Sequence, residues 1–232
     1  MLSATTIAQV RAHVAAWKKE GLTVGLVPTM GYLHEGHASL VDEAVRQCDR
    51  VVASDFVNPT QFGPNEDLEA YPRDFDRDCA LLEEHGCAMV FHPAVEEMYA
   101  PGAATYVEIL SDMPKQLCGK TRPIHFRGVC TVVSKLFNIM QPDNAYFGQK
   151  DAQQLAIVKK MAADLNFDVK VNGCPIVREA DGLAKSSRNT YLSAEERAAA
   201  PILFKAIQKG QEIIEPGMRA ADLEAAMKDV LA

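Results

Sequence analysis

Apolar positions along the chain alternate between short runs of period two and longer stretches of period 3.6, which predicts strands and helices in succession. Ile7, Val10, Val14 and Trp17 share one helical face, with Ser3 a candidate cap and Gly21 a terminator, so a helix is expected over 3–20. The β-branched run at 22–27 predicts a strand. A helix over about 36–48 follows, covering the sheet with Leu40, Val41, Ala44 and Val45. The same alternation gives a strand at 50–59, a helix at 73–86 and a strand at 88–93. Residues 94–124 are rich in Pro and Gly and hold one strand-like run, TYVEIL. A strongly apolar helix is expected at 125–140, with Val129, Val132, Val133, Leu136, Phe137 and Met140 on its core face. Then come a strand at 145–147, a helix from about Asp151, two strands at 168–172 and 174–179, and two amphipathic helices between 193 and 231, the first capped by Ser193.

Strands alternating with helices in this way predict an α/β fold built on a parallel sheet. A length of 232 residues allows one or two domains, and a 48% apolar share suffices for an ordinary core. No apolar run is long enough to span a bilayer, and the first 21 residues lack a signal-peptide pattern, so a cytoplasmic protein with no membrane role is expected. Six cysteines without a CxxC pair suggest neither a zinc ribbon nor a disulfide framework; reduced, mostly buried thiols are expected. A net charge of −7 argues against a general nucleic-acid binder while leaving room for a local basic pocket.

The candidate chemistry centres on VPTMGYLHEGH at 27–37. A short strand, a glycine-bearing turn and a helix start together aim backbone N–H groups and the positive end of a helix at an anion, for which phosphate is the natural guest. His34 and His37 lie three apart, so both rings can face one bound anion, and Gly36 allows close backbone approach. Zinc hydrolases need histidines four apart on a helix, and H-E-G-H does not supply that spacing. The plain alternative is a solvated helix start without a ligand.

Further polar groups fall at the carboxyl ends of expected strands, where open parallel sheets bind ligands. Asn58 and Gln61, in NPTQFGPNED, are candidates to orient a small polar substrate through their amides, or are simple turn residues. Asp55 sits in an apolar strand with no partner evident from sequence. The strand-turn-helix unit recurs at AYFGQKDAQQL, with Gly148 at the turn, Lys150 placed to meet phosphate as a point charge, and Gln154 in reach of the same pocket as Gln61. GKTRP at 119–123 reads as a mobile phosphate clamp or as solvated loop charge. The loop ADGLAKSSRNTYL carries Lys185, Ser186, Ser187 and Arg188, several donors on a segment able to close over a triphosphate.

VPTMGYLHEGH, FVNPTQF, HFRGV, FGQKDAQQL and DGLAKSSRN, in this order, resemble the pantoate-β-alanine ligase (pantothenate synthetase) family of the HIGH-type nucleotidyltransferase superfamily, from about residue 20 to 205. The resemblance implies a Rossmann-like, doubly wound parallel sheet over 1–175, a smaller C-terminal lid over 176–232, and a homodimer. The lid is expected to be incomplete, since the family's small terminal sheet does not follow Ala232. It implies that ATP and pantoate form pantoyl adenylate and pyrophosphate, and that β-alanine then displaces AMP. It also implies that Met30, Gly31, Tyr32, Leu33, His34, Glu35, Gly36 and His37 line the ATP site, with His37 the proton donor and His34 and Lys150 beside it. Further nucleotide contacts would come from Gly148, Gln149, Lys150, Asp151, Val177 and Lys185 to Arg188, pantoate contacts from Gln61 and Gln154, and a β-alanine contact from Gln61. Magnesium would bridge phosphate oxygens without a dedicated protein cage. Gln149, Lys185 and Asp55 depart from the family pattern. The alternatives are a nucleotidyltransferase of the same superfamily and a nucleotide-binding homologue without catalysis.

Overall fold

The computed structural model describes residues 1–232, which divide into two compact units, Met1–Pro175 and Ile176–Ala232. In the first, strands β1 (Leu2–Ala4), β2 (Val24–Thr29), β3 (Arg50–Asp55), β4 (Met89–Phe91), β5 (Asn144–Gly148) and β6 (Lys170–Cys174) form one sheet in the order β1-β4-β3-β2-β5-β6. Every pairing is parallel. Helix α1 (Ile7–Lys19) precedes β2, α2 (Glu35–Gln47) joins β2 to β3, and α3 (Phe75–Glu84) joins β3 to β4. After the short α4 (Val95–Met98) and α5 (Cys118–Thr121) come α6 (His125–Met140), ahead of β5, and α7 (Ala152–Asp164), between β5 and β6.

Side chains alternate across the sheet, as the strand repeat requires. Leu26, Val52, Met89 and Phe147 face one layer with Val10, Leu136, Phe137 and Ile157 of α1, α6 and α7. Val27, Val51, Val90 and Tyr146 face the other, against Leu40, Val41 and Leu82 of α2 and α3. This is a doubly wound three-layer α/β sandwich. The chain winds outward from β2 through β3 to β4, then returns to lay β5 on the other side of β2, so the winding reverses between β2 and β5. A crevice opens at the carboxyl ends of the strands at such a reversal.

Three segments differ from the sequence expectation. The helix predicted from residue 3 starts at Ile7, where Thr6 and Gln9 form a reciprocal capping box. Leu2–Ala4 instead pairs with Met89–Phe91 as an edge strand, three residues being too short to display a period of two. TYVEIL is not a strand: no ladder partner takes it up, Tyr106 and Leu110 are 49% and 81% exposed, and Val107 N–H donates to Thr131 Oγ1 (3.0 Å). The two strands expected at 168–179 are one, because Pro175 directly after β6 has no N–H to continue a ladder. Beyond it, within the second unit, a single bridge joins Arg178 to Ala184 across the Gly182 turn.

The second unit holds α8 (Ala194–Ala199), α9 (Ile202–Ile213) and α10 (Ala220–Asp229), three helices where two were expected. Pro201 interrupts what the apolar pattern reads as one helix. Ser193 caps α8 as expected, in a capping box with Glu196. A Cβ at Gly210 would lie 2.8 Å from Met227 Sδ, so α9 and α10 pack closely there. All six cysteines are free; Cys48, Cys87, Cys130 and Cys174 are buried, Cys79 is half-buried and Cys118 is exposed.

Candidate active site

The turn after β2 is tightly determined. Thr29 Oγ1 donates to Ser54 O on β3 (2.7 Å) and accepts from Gly31 N–H (3.2 Å). Gly31 and Tyr32 both adopt positive φ, 79° and 50°, which costs little for glycine and more for tyrosine. The buried Asp78 carboxylate of α3 accepts from Tyr32 N–H (2.5 Å) and Leu33 N–H (2.6 Å) and so holds Tyr32 in that conformation.

Helix α2 starts in this turn, and its cap is made of the two histidines. His34 Nδ1 accepts from Gly36 N–H (3.1 Å), and His37 Nδ1 accepts from His34 N–H (3.3 Å). Their ring centroids are 4.1 Å apart. An Nδ1 that accepts leaves the proton of a neutral imidazole on Nε2. Burial, then the neighbouring His34, then the Lys150 charge push the His37 pKa down to about 3, so at neutral pH this ring is an uncharged N–H donor. Lys150, exposed in the turn after β5, pairs with Asp151 (3.5 Å). Because β2 and β5 are neighbours, the histidine turn and the Gly148–Asp151 turn lie at adjacent strand ends, at the reversal of winding.

The third strand end, after β3, carries Asn58 and Gln61 around a 3-10 turn at Pro59–Gln61. Gln61 Nε2 approaches Met30 Sδ (3.1 Å), which brings it to the histidine turn. Asn58, 1% exposed, stands behind it: Nδ2 donates to Gln61 Oε1 (3.0 Å) and to Gly128 O (3.1 Å), while Oδ1 accepts from Tyr99 Oη–H (2.8 Å) and Thr60 Oγ1–H (3.0 Å). Its amide is fully engaged within the protein. Gly128 lets α6 close on this turn, since a Cβ there would meet Thr60 O at 2.4 Å and the Gln61 nitrogen at 2.5 Å.

Arg122 of the GKTRP segment is neither a mobile clamp nor a solvated charge. It is half-buried, pairs with Glu66 and donates to Gln61 O (3.4 Å), beside a contact of His125 Nδ1 with the same carbonyl (3.1 Å). A fixed arginine on a carboxylate is a structural tie. Gln153 is tied as well, accepting from Cys118 N–H (3.0 Å) and donating to Met113 O (3.0 Å) and Gln116 O (2.7 Å), whereas Gln154 is half-buried one residue on.

In the second unit Lys185 pairs with Glu179 (3.3 Å) and its N–H donates to Val177 O (3.0 Å). Ser186 caps the 3-10 turn Ser187–Tyr191 through Arg188 N–H (3.3 Å), so KSSRN is a capped turn rather than an open loop. No group of three or more His, Cys, Asp or Glu side chains is placed to hold a metal ion, and no helix is long and apolar enough to cross a membrane.

Sequence reading missed Asp78, Tyr99 and His92. Asp78 is one of three alternating aspartates at the start of the expected helix at 73–86, with nothing local to set it apart, and Tyr99 lay in the Pro- and Gly-rich stretch at 94–124. His92, at the carboxyl end of β4, carried a signal that could have been used: a polar residue where the sheet binds.

A doubly wound sheet with a histidine-capped helix start, a lysine turn at the adjacent strand end and a buried amide against Met30 defines an α/β protein of the class that binds phosphorylated ligands at the reversal of winding. The chain belongs to the pantoate-beta-alanine ligase family, whose profile matches residues 3–232. It is 60% identical over 214 residues to the pantothenate synthetase of Enterococcus faecalis, covering 92% of this chain and 76% of that one. Over 212 residues it is 58% identical to that of Clostridium acetobutylicum, covering 91% and 75%. Among solved structures, the pantothenate synthetase of Thermus thermophilus superposes with a TM-score of 0.93 at 49% identity, over all of this chain and 82% of that one. The Francisella tularensis ligase, solved with β,γ-ATP and β-alanine, gives 0.86 at 33% identity, over 99% and 86%.

Proposed function

We propose that this chain condenses pantoate with β-alanine to give pantothenate, using ATP through a pantoyl adenylate. The observation that carries the reading is the His34–His37 cap, with His37 neutral, beside the Lys150 turn, and the Gln61 amide against Met30. In the first step a pantoate carboxylate oxygen attacks the α-phosphorus of ATP and the bond to pyrophosphate breaks. In the second the β-alanine amine attacks the acyl carbon, the bond to AMP breaks, and the ammonium proton leaves to solvent. Little covalent work falls to the protein, so positioning and charge stabilisation dominate.

His37 acts in this scheme as an Nε2–H donor to a phosphate oxygen, with His34 fixing its tautomer and Lys150 supplying the positive charge. A donor held neutral to about pH 3 is suited to hydrogen bonding and ill suited to delivering a proton, so we assign it the former role. Met30 to His37 and Gly148 to Asp151 line the nucleotide in this proposal; Gln61 and Gln154 meet pantoate, Gln61 also meets β-alanine, and Asn58 orients Gln61 from behind. Val177 and Lys185 to Arg188 are proposed as further nucleotide contacts on the resemblance of their motif alone. Magnesium, bound through the nucleotide's phosphate oxygens, would supply charge neutralisation there without a dedicated protein cage. A homodimer and a cytoplasmic location belong to the same proposal and rest on the family likeness.

The test is pantoate-dependent exchange of labelled pyrophosphate into ATP, followed by product analysis with β-alanine. Exchange together with AMP and pantothenate is expected. A product that retains the nucleotide, or ATP binding without exchange, would overturn the assignment.

A further inference from the structure

Against the turn that leads into the two histidines, three titratable side chains meet that the scheme above does not use. Asp55 ends β3 and is 4% exposed, Asp78 lies on α3 and is 1% exposed, and His92 follows β4 with its ring half exposed. A Cβ built on Gly31 would fall 2.4 Å from Asp55 Oδ1 and 3.2 Å from Asp78 Oδ2, so both carboxylates press against one glycine of the turn. His92 Nδ1 lies 2.8 Å from Asp55 O and 3.7 Å from Asp55 Oδ1, and its ring stacks on Phe75 of α3 with centroids 4.2 Å apart. The same histidine lines an open cleft of about 610 Å3 together with Thr6, Glu96 and Glu97, which gives protons a route from solvent.

Two buried carboxylates this close repel, and each loses hydration, so keeping both charged requires a nearby cation. Two positive groups are placed for that task, Arg77 on the same helix and His92 behind Asp55. Arg77, on the same helix, has its guanidinium over the Tyr32 ring (4.9 Å), and Cys79 and Asp76 add no positive charge. Glu97, beside His92, accepts from Ile7 N–H (2.7 Å). Asp78 nevertheless has to be an acceptor twice over, for Tyr32 and Leu33.

We infer that Asp78 is a positioning residue for the nucleotide turn and that the Asp55–His92 pair behind it governs whether it stays ionised. The inference rests on the nucleotide reading of that turn. A carboxylate accepts from both N–H groups, whereas a carboxylic acid gives up acceptor capacity at one oxygen, so protonation releases one of the bonds that keeps Tyr32 at positive φ. Burial first, and the Asp55 charge as an added cause, push the Asp78 pKa up to about 6, opposed by the two N–H bonds and Arg77. Hydrogen bonding to Asp55, opposed by burial and aided by the Asp55 and Asp78 charges, raises His92, so the two carboxylates favour its cationic form. The turn is therefore set at neutral pH and loosens as pH falls through about 6.

The experiment follows the amide protons of Tyr32 and Leu33 by NMR between pH 4.5 and 8.5, alongside calorimetric ATP affinity, in the full chain and in Asp55→Asn and His92→Asn. Wild type is expected to titrate at both amides with a midpoint near 6. Asp55→Asn, having lost the repelling charge, should titrate lower, and His92→Asn, having lost the compensating one, higher. The affinity of each variant relative to wild type, a ratio in which the nucleotide's own protonation cancels, should move by up to about tenfold per pH unit, the limit for one proton. It should favour Asp55→Asn at acid pH and disfavour His92→Asn near neutrality. A purely structural role would lower affinity in both variants without opposite pH shifts. Amides that do not titrate, or affinity ratios flat in pH while wild type binds ATP, overturn this inference alone. A wild-type chain that binds no ATP at any pH overturns the nucleotide reading and this inference with it.

Discussion

Replacing His37 tests the proposed chemistry at its centre, and two substitutions separate its parts. His37→Ala removes the Nε2–H donor and also the Nδ1 acceptor of His34 N–H, one bond of the α2 cap. Losing one preorganised donor at a site of developing charge costs about 2.7 to 4 kcal/mol of transition-state stabilisation, or roughly a hundred- to a thousandfold in rate. Losing the cap bond costs about 1 kcal/mol of stability, so the chain should still fold. His37→Gln places an amide N–H near the Nε2 position and should recover part of the rate. Pyrophosphate exchange at saturating ATP and pantoate, from pH 5 to 8, is the assay. Because His37 is neutral down to about pH 3, no acid limb should belong to it, and the limb expected near pH 6 from Asp78 should survive in His37→Gln. The sign for stability is the reverse of the usual histidine case. A value depressed below the unfolded 6.5 contributes stability above 6.5 that is lost as pH falls toward 3. Near-normal exchange in His37→Ala, or an acid limb that vanishes with His37→Gln, would refute the reasoning.

Other positions give narrower tests. Gln61→Ala should weaken pantoate binding more than ATP binding, since truncation leaves the substrate's polar partner unsatisfied at about 1 to 3 kcal/mol; titration calorimetry with equal losses for both ligands would remove the assignment. Gly128→Ala must displace the Pro59–Gln61 turn, because its Cβ would meet Thr60 O at 2.4 Å, and should raise KM for pantoate while leaving ATP affinity within about threefold, a change of under 1 kcal/mol. Thr6→Ala breaks the α1 capping box, which includes none of the proposed ligand groups, so urea unfolding should show a loss of about 0.5 to 2 kcal/mol with exchange kinetics at neutral pH unchanged.

Most of the layer architecture was legible because strongly periodic segments leave little choice: α6 begins at His125 and ends at Met140, as its apolar spacing indicates. The failures share a cause, which is that a partner distant in sequence decides the outcome. Leu2–Ala4 is a strand because Met89–Phe91 is beside it, and TYVEIL is not one because nothing pairs with it. The histidine turn could be read from local residues, since its cap is made within four positions. The Asp78 brace could not, because its bonds to Tyr32 and Leu33 span 46 and 45 residues. Asp55 looked misplaced for the same reason, its partner His92 lying 37 residues on, just after the neighbouring strand.

The saturated amide of Asn58 has a bearing on molecular recognition. An isolated asparagine or glutamine is ambidextrous, since half a turn about its last bond exchanges oxygen for nitrogen. Here the symmetry is broken by a main-chain group: Gly128 O only accepts, so the Asn58 nitrogen must point to it, and the nitrogen's other hydrogen then meets the Gln61 oxygen. The Gln61 oxygen being spoken for, its NH2 end is the one turned toward Met30. A carbonyl in the first turn of a helix 70 residues further along thus dictates the handedness of polarity at the strand end, and presents a donor there rather than an acceptor.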